Sequence, residues 1–177
     1  MTAANIQNAL VARLTDILKD FPLNIPYNNP APFKIFKHKI PEKLASEIDY
    51  SKGKKDAQSD VYPFCVVKID TGSKEANHEM ELSVYNVVIG VENEGVEGEG
   101  YDDVMACIQA IWNDFNANPL LDRKYKFEYP SDWAIDDGEA NDTHPFYYGV
   151  VQLRFSSHTM QHLGGNLHGE YINQRRS

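Results

Sequence analysis

The sequence predicts an α+β fold, a mostly antiparallel mixed sheet with helices packed on one face. Three observations predict it. Residues 5–21 and 101–116 each place apolar side chains at helical spacing on one side only, so each helix needs a surface to lie on. Residues 62–70 and 79–92 are apolar runs separated by a short polar segment, and strands joined that closely pair antiparallel. The order of elements is helix, strand, hairpin, helix and then two more strands.

The first helix is carried by Ile6, Leu10, Leu14, Ile17, Leu18 and Phe21, and Pro22 stops it. Residues 24–32 contain Pro26, Pro30 and Pro32 and are expected to be extended or turned. Phe33, Ile35 and Lys37 then alternate with Lys34, Phe36 and His38 in a short strand whose faces differ little. Residues 41–60, with Lys52, Lys54 and Lys55 in an almost apolar-free stretch, read as a mobile excursion.

Phe64-Cys65-Val66-Val67 is a continuous apolar run, expected in a strand buried on both faces, with 71–74 as its turn. Residues 79–92 would span about 46 Å as one strand. Their apolar set changes phase: Met80, Leu82 and Val84 are even, whereas Val87, Ile89 and Val91 are odd. That change predicts a bulge near Tyr85-Asn86.

After a loop holding Glu92, Glu94, Glu97 and Glu99 among glycines comes the second helix, about 24 Å long. Its stripe is Tyr101, Val104, Met105, Ile108, Ile111, Trp112 and Phe115. Asp102 and Asp103 suit the positive end of its dipole, and Cys107 is expected on the outer half with Ala106 and Ala110. Residues 124–129 form a strand with Tyr125, Phe127 and Tyr129 on one face. Residues 147–155 form the last one, with Tyr147, Val151, Leu153 and Phe155 inward and Gln152 and Arg154 outward. Residues 1–157 thus read as one domain and 158–177 as a polar tail rich in glycine and histidine.

Composition narrows the function. The chain has 177 residues, 42% hydrophobic and 24% charged, in the range of globular proteins. No run approaches the ~20 apolar residues of a membrane helix. The first ten residues carry no positive charge and no continuous apolar stretch, so no signal peptide is expected. The two cysteines lie inside apolar elements, which makes a cytoplasmic compartment the expectation and deprives the sequon at Asn141 of meaning. A net charge of −9 argues against sequence-specific DNA binding.

Chemistry-bearing patterns are sparse. The glutamate loop lacks the alternating donor spacing of a calcium loop, and Asp132, Asp136, Asp137, Glu139 and Asp142 are first of all turn chemistry. His158, His162 and His168 have no cysteine nearby to complete a structural zinc site. There is no nucleophile elbow, phosphate loop or dinucleotide fingerprint, and four glutamates would repel a phosphate at the second helix. The expectation is a chain with no enzymatic activity, no cofactor and no metal. A small metal-dependent enzyme using the acidic runs and C-terminal histidines is the alternative. What remains is aromatic surface: Tyr129, Trp133, Phe146 and Tyr148 lie near turns or in the outward register, as interface residues do. A second small core under residues 130–146 would account for them equally well.

The ordered motifs resemble a known family. Tyr62-Pro63-Phe64-Cys65-Val66-Val67-Lys68 comes first, then Val88-Ile89-Gly90-Val91 and the acidic glycine-rich loop before Tyr101-Asp102-Asp103-Val104. Ile108 and Ile111, Tyr125-Lys126-Phe127-Glu128, Trp133 and Pro145-Phe146-Tyr147-Tyr148-Gly149 follow. Over residues 5–155 the chain is similar to the tail terminator or tail completion proteins of long-tailed bacteriophages and prophages. The resemblance implies an α+β subunit of a homo-oligomeric ring, usually hexameric, acting in virion assembly. That ring caps the tail tube protein, meets the head–neck connector protein, and lets DNA pass through its lumen. The virion tail or neck, and the host cytoplasm during assembly, would be its location, with no membrane involved. An adaptor of another contractile or tail-like bacterial assembly would have the same style. Hairpin ends and loops would meet neighbouring subunits, so 79–99 and 132–145 are the candidate interfaces. Their named residues are Tyr85, Glu92, Glu94, Glu97, Glu99 and Trp133, with Phe146 and Tyr148 beside them.

Overall fold

The structure, a computed structural model, describes residues 3–23, 32–41, 61–74, 80–95, 97–136 and 143–158. Helix α1 spans Ala3–Leu18 and helix α2 Glu99–Ala117. The strands are β1 (Lys34–Lys37), β2 (Phe64–Lys74), β3 (Met80–Glu92), β4 (Leu120–Leu121), β5 (Tyr125–Glu128), β6 (Trp133–Ile135) and β7 (Phe146–His158). They form one seven-stranded sheet in the order β1-β2-β3-β7-β5-β4, with β6 also on β7. Only β1 against β2 is parallel; the other pairings are antiparallel. The expected α+β class and its mostly antiparallel sheet are therefore found.

Both helices lie on the same face. Ile6, Leu10, Leu14 and Leu18 from α1 and Val104, Ile108, Ile111 and Phe115 from α2 join one cluster with Tyr85, Val87, Ile89, Val151, Leu153 and Phe155 from the sheet. The opposite face carries a smaller cluster, Val61, Tyr62, Phe64 and Val66 with Phe36, Val88, Phe146 and Tyr148 packed against it. Phe64-Cys65-Val66-Val67 is buried throughout, as its unbroken apolar run requires, because Cys65 and Val67 serve one cluster while Phe64 and Val66 serve the other.

The long hairpin corrects two expectations. Residues 71–74 do not turn; they continue β2, pairing Thr71 with Val84 and Lys74 with Glu81. Strand β3 keeps one phase throughout, with Ser83, Tyr85, Val87, Ile89 and Val91 all turned to the helices. The irregularity falls on its partner instead, between Ile69 and Thr71, opposite the expected Tyr85. The even residues Met80, Leu82 and Val84 consequently stand on the face opposite α1 and α2, which among the described residues carries no helix.

Beyond β7 the sheet bends. Glu128 pairs with Arg154 and Trp133 with Val151, so β5 and β6 are two parts of one line along β7, separated by residues 129–132. Gln152 N donates to Asp132 O at 2.7 Å and Ser131 Oγ donates to Gln152 O at 2.6 Å, so the ladder stays satisfied across the break. Strand β1 falls within the short strand expected at 33–38, but its parallel pairing and the strands β4 and β6 were not implied by sequence pattern. Tyr129, expected among the surface aromatics, is 68% exposed and stands at that break. Helix α1 ends three residues before the expected Phe21, which nevertheless packs against the core. The expectations for 24–31, 42–60 and the tail from 159 onward lie outside the described residues.

Gly149 sets how closely α2 approaches the sheet. A Cβ there would collide with Val104 Cγ1 and stand 3.3 Å from Ile108 Cδ1 and 3.4 Å from Ala134 O. Gly149→Ala is expected to destabilise the protein by about 2 kcal/mol, measured by denaturant titration. An unchanged midpoint would mean that α2 slides freely on β7.

Candidate functional site

The acidic loop is built on one buried side chain. Asn93 is 1% exposed. Its Nδ2 donates to Asp103 Oδ2 at 2.8 Å, its Oδ1 accepts from Gly95 N at 2.8 Å, and its backbone N donates to Pro145 O at 2.9 Å. The loop is thereby tied to α2 and to the start of β7. Gly98 precedes the helix at φ 91°, in the left-handed region that favours glycine, and Glu99 Oε2 accepts from Glu97 N at 2.9 Å. Glu94 and Glu97 are left exposed; Glu92 and Glu99 are half-buried. Glu99 and Asp102 in the first turn suit the helix dipole.

Trp133, 45% exposed, stands edge-on to Trp112 with ring centroids 6.5 Å apart. Trp112 Nε1 donates to Ser131 Oγ at 2.8 Å, which fixes the pair to the β5–β6 break. Phe146 and Tyr148 are half-buried on the helix-free face, where Tyr62 packs on Phe146 at 4.9 Å and the Tyr62 and Tyr148 hydroxyls hydrogen-bond. Phe146 and Tyr148 thus belong to the smaller cluster built on β2, which Tyr129 and Trp133 do not join; the second core weighed under residues 130–146 falls in part on 137–142, outside the described residues.

Tyr85 is a correction. It is 0% exposed, its hydroxyl donates to Ala3 O at 2.8 Å, and its ring meets Phe155 at 6.0 Å. Its odd position on β3 points it at the helices, so its side chain belongs to the core and contributes nothing to a surface. The remaining candidates, Glu92, Glu94, Glu97, Glu99, Trp133, Phe146 and Tyr148, gather around β6, the first half of β7 and the N-terminus of α2.

Cys107 is also corrected: it is fully buried, as is Cys65. Burial pushes both thiols up, and for Cys107 the Asp103 carboxylate and Cys65 add to it. Both stay protonated and unreactive. Burial likewise pushes the Tyr85 hydroxyl up from 10.0 to about 12, with a hydrogen bond to Ser83 opposing and the Glu81 charge and Tyr125 adding. These folded values lie above the unfolded ones, so the stability they report is complete below about pH 9 and falls as pH rises towards 12. The expected result is a denaturation midpoint that drops from pH 9 upward. The native thiols should remain inert to a chromogenic disulfide reagent at pH 8 until denaturant is added; stoichiometric labelling of native protein would show that the buried placement is wrong.

Among the described residues, no group of three or more His, Cys, Asp or Glu side chains is placed to hold a metal ion. Asp132 lies 3.5 Å from Arg154 Nη2, and Asp136 N donates to Tyr148 O. Asp137, Glu139, Asp142, His162 and His168 fall outside the described residues, as does the side chain of His158. Among the described residues no helix is long and apolar enough to cross a membrane. The chain matches no protein-family model, and no curated protein matches it.

Sequence reasoning missed the anchors Asn93 and Asp103, which lie ten positions apart with no local pattern to link them. It also missed the open end of the β2–β3 hairpin, where Lys68, Asp70, Thr71, Gly72, Ser73, Lys74 and Met80 are all exposed.

Proposed function

We propose that this chain is a structural subunit of a long-tailed bacteriophage tail, a terminator or completion protein. It closes as a homo-oligomeric ring on the tail tube and joins it to the head or neck. Its mechanism is geometric: a contact repeated through a rotation that meets itself closes a ring, and the ring ends tube growth while offering a new surface to the neck. An acidic wall (the chain has net charge −9) lets DNA pass without adhering.

The observation that carries this reading is the asymmetry of the sheet. Helices α1 and α2 cover one face, whereas at the end formed by residues 68–74 and 80 every residue but Ile69, which packs on the core, is exposed. The segments that resemble the tail family come together at the other end of the sheet, where Phe64, Gly90 and Tyr148 sit side by side on β2, β3 and β7. Such a subunit offers edges and loops to neighbours, and its ionisable groups do not converge on a cleft in the described residues.

Sedimentation or light scattering of the purified protein, alone and with isolated tail tubes, tests the proposal. A closed oligomer, or a monomer that becomes a ring at tube ends, is the expected result. A strict monomer that ignores tubes would overturn it.

A further inference from the structure

Among the described residues, strand β2 is paired on its outer edge for only part of its length. Strand β1 pairs with Phe64, Cys65, Val66 and Val67, and His38 N and Gln7 Nε2 both donate to Val67 O. From Lys68 to Lys74 no strand among the described residues pairs that edge. Seven residues present about 23 Å of backbone donors and acceptors. An edge of this length is a template for another chain unless something covers it. Beside it, the helix-free face carries Met80, Leu82 and Val84, with Met80 44% exposed. The helix side of the same segment carries Glu81 and Ser83. Apolar residues are thus placed on the face opposite α1 and α2, where no helix among the described residues buries them.

Charge selects the occupant. Among the described residues, the margin formed by 34–39 and 68–74 carries Lys34, Lys37, Lys39, Lys68 and Lys74 against Asp70 alone. A second margin, residues 92–102 and 133–136, carries Glu92, Glu94, Glu97, Glu99, Asp102 and Asp136 with no basic residue, whereas the β4–β5 edge is mixed, with Asp122, Arg123, Lys124 and Lys126 exposed. In a chain with 17 basic and 26 acidic residues, that segregation makes the two margins complementary to each other. A two-fold contact would set lysine against lysine. A head-to-tail contact sets lysine against glutamate, and repeating it closes a ring.

We infer that the β1–β2 margin of one copy docks against the β6–α2 margin of the next, with Lys68 and Lys74 facing Glu94 and Glu97 and the exposed Trp133 covering part of the apolar strip. This inference rests on the ring reading above and specifies which surfaces build the ring.

The test uses the full chain and two charge-reversed forms, Lys68→Glu/Lys74→Glu and Glu94→Lys/Glu97→Lys, each checked for native circular dichroism. Each form alone is expected to lose self-association by at least about tenfold, because the reversed margin repels its counterpart. An equimolar mixture is expected to regain the wild-type assembly with the two forms in equal number, since each reversed margin then meets its opposite. Should a reversed form unfold, the wild type supplies the same reading. Its self-association is expected to weaken at least about tenfold between about 0.05 and about 0.5 M salt. A wild-type ring that ignores charge reversal and salt overturns this inference alone, as do folded monomeric variants that do not rescue each other. A wild type that is monomeric even on tail tubes overturns the ring reading with it.

Discussion

Phe155→Ala is expected to lower stability by about 4 kcal/mol, the largest loss for any single truncation in this protein. Phe155 is 0% exposed and lies in the second half of β7, the strand that pairs with β3, β5 and β6. Its ring meets Phe115 of α2 at 5.4 Å, Phe127 of β5 at 5.9 Å and Tyr85 of β3 at 6.0 Å. Phe115 and Phe127 also touch, at 5.5 Å. Deleting the ring forfeits its transfer free energy, leaves a cavity between rigid aromatic walls, and removes three ring contacts worth about 0.5–1.5 kcal/mol each. The walls are anchored in a sheet and a helix, so they cannot close over the void. Trp133→Ala removes a larger side chain yet should cost under about 1 kcal/mol, because water already reaches 45% of that residue. Urea titration of both variants checks the pair. Equal losses would mean that the four rings repack, and the aromatic cluster would then be filler without a structural role.

Much of this core was legible in the sequence because α2 and β7 repeat their apolar residues at the periods of a helix and a strand. Ile108, Ile111 and Phe115, and Val151, Leu153 and Phe155, could hardly face elsewhere. The misreadings share one physical cause. Apolar character reports that a residue is covered, and does not say by what. Met80, Leu82 and Val84 suggested an inward phase, whereas the inward phase of that segment is carried by Ser83 and Tyr85. Cys107 was set with the alanines on the outer side, although it is fully buried in the main cluster with Val104 and Ile108. The strands β4 and β6, of two and three residues, are too short for any period. The parallel placement of β1 depends on the path of residues 38–63, which no local pattern encodes. Of the candidate site, the glutamates and Trp133 were readable as polar or aromatic residues in a loop. The open β2 edge was not, since an edge is a property of the finished sheet.

Arg13→Ala is expected to cost about 3 kcal/mol, more than any other single polar side chain in the described structure. The last carbonyls of an α-helix have no partner within it, and that end is electronegative. Helix α2 has no basic residue in its last turn. Arg13 supplies one from α1. Its Nε donates to Asp114 Oδ2 at 2.6 Å, Nη2 to Asp114 O at 3.0 Å and to Asn118 O at 2.6 Å, and Nη1 to Leu120 O at 3.1 Å. The guanidinium carbon also lies 4.3 Å from the centre of the Phe115 ring. The Arg13 side chain is 16% exposed and that of Asp114 32%, so water screens the pair only in part, whereas the Asn118 and Leu120 carbonyls stay within reach of water. Lysine carries the charge without the planar fork, so Arg13→Lys should recover less than half of the loss. Full recovery would reduce the contact to simple charge attraction. Because Phe115 lies between Arg13 and Phe155, the double variant should lose less than the sum of the singles by about 0.5–1 kcal/mol. Strict additivity would show that the clip at the end of α2 and the aromatic core beneath it are energetically separate, and that α1 and α2 pack on the sheet as independent helices.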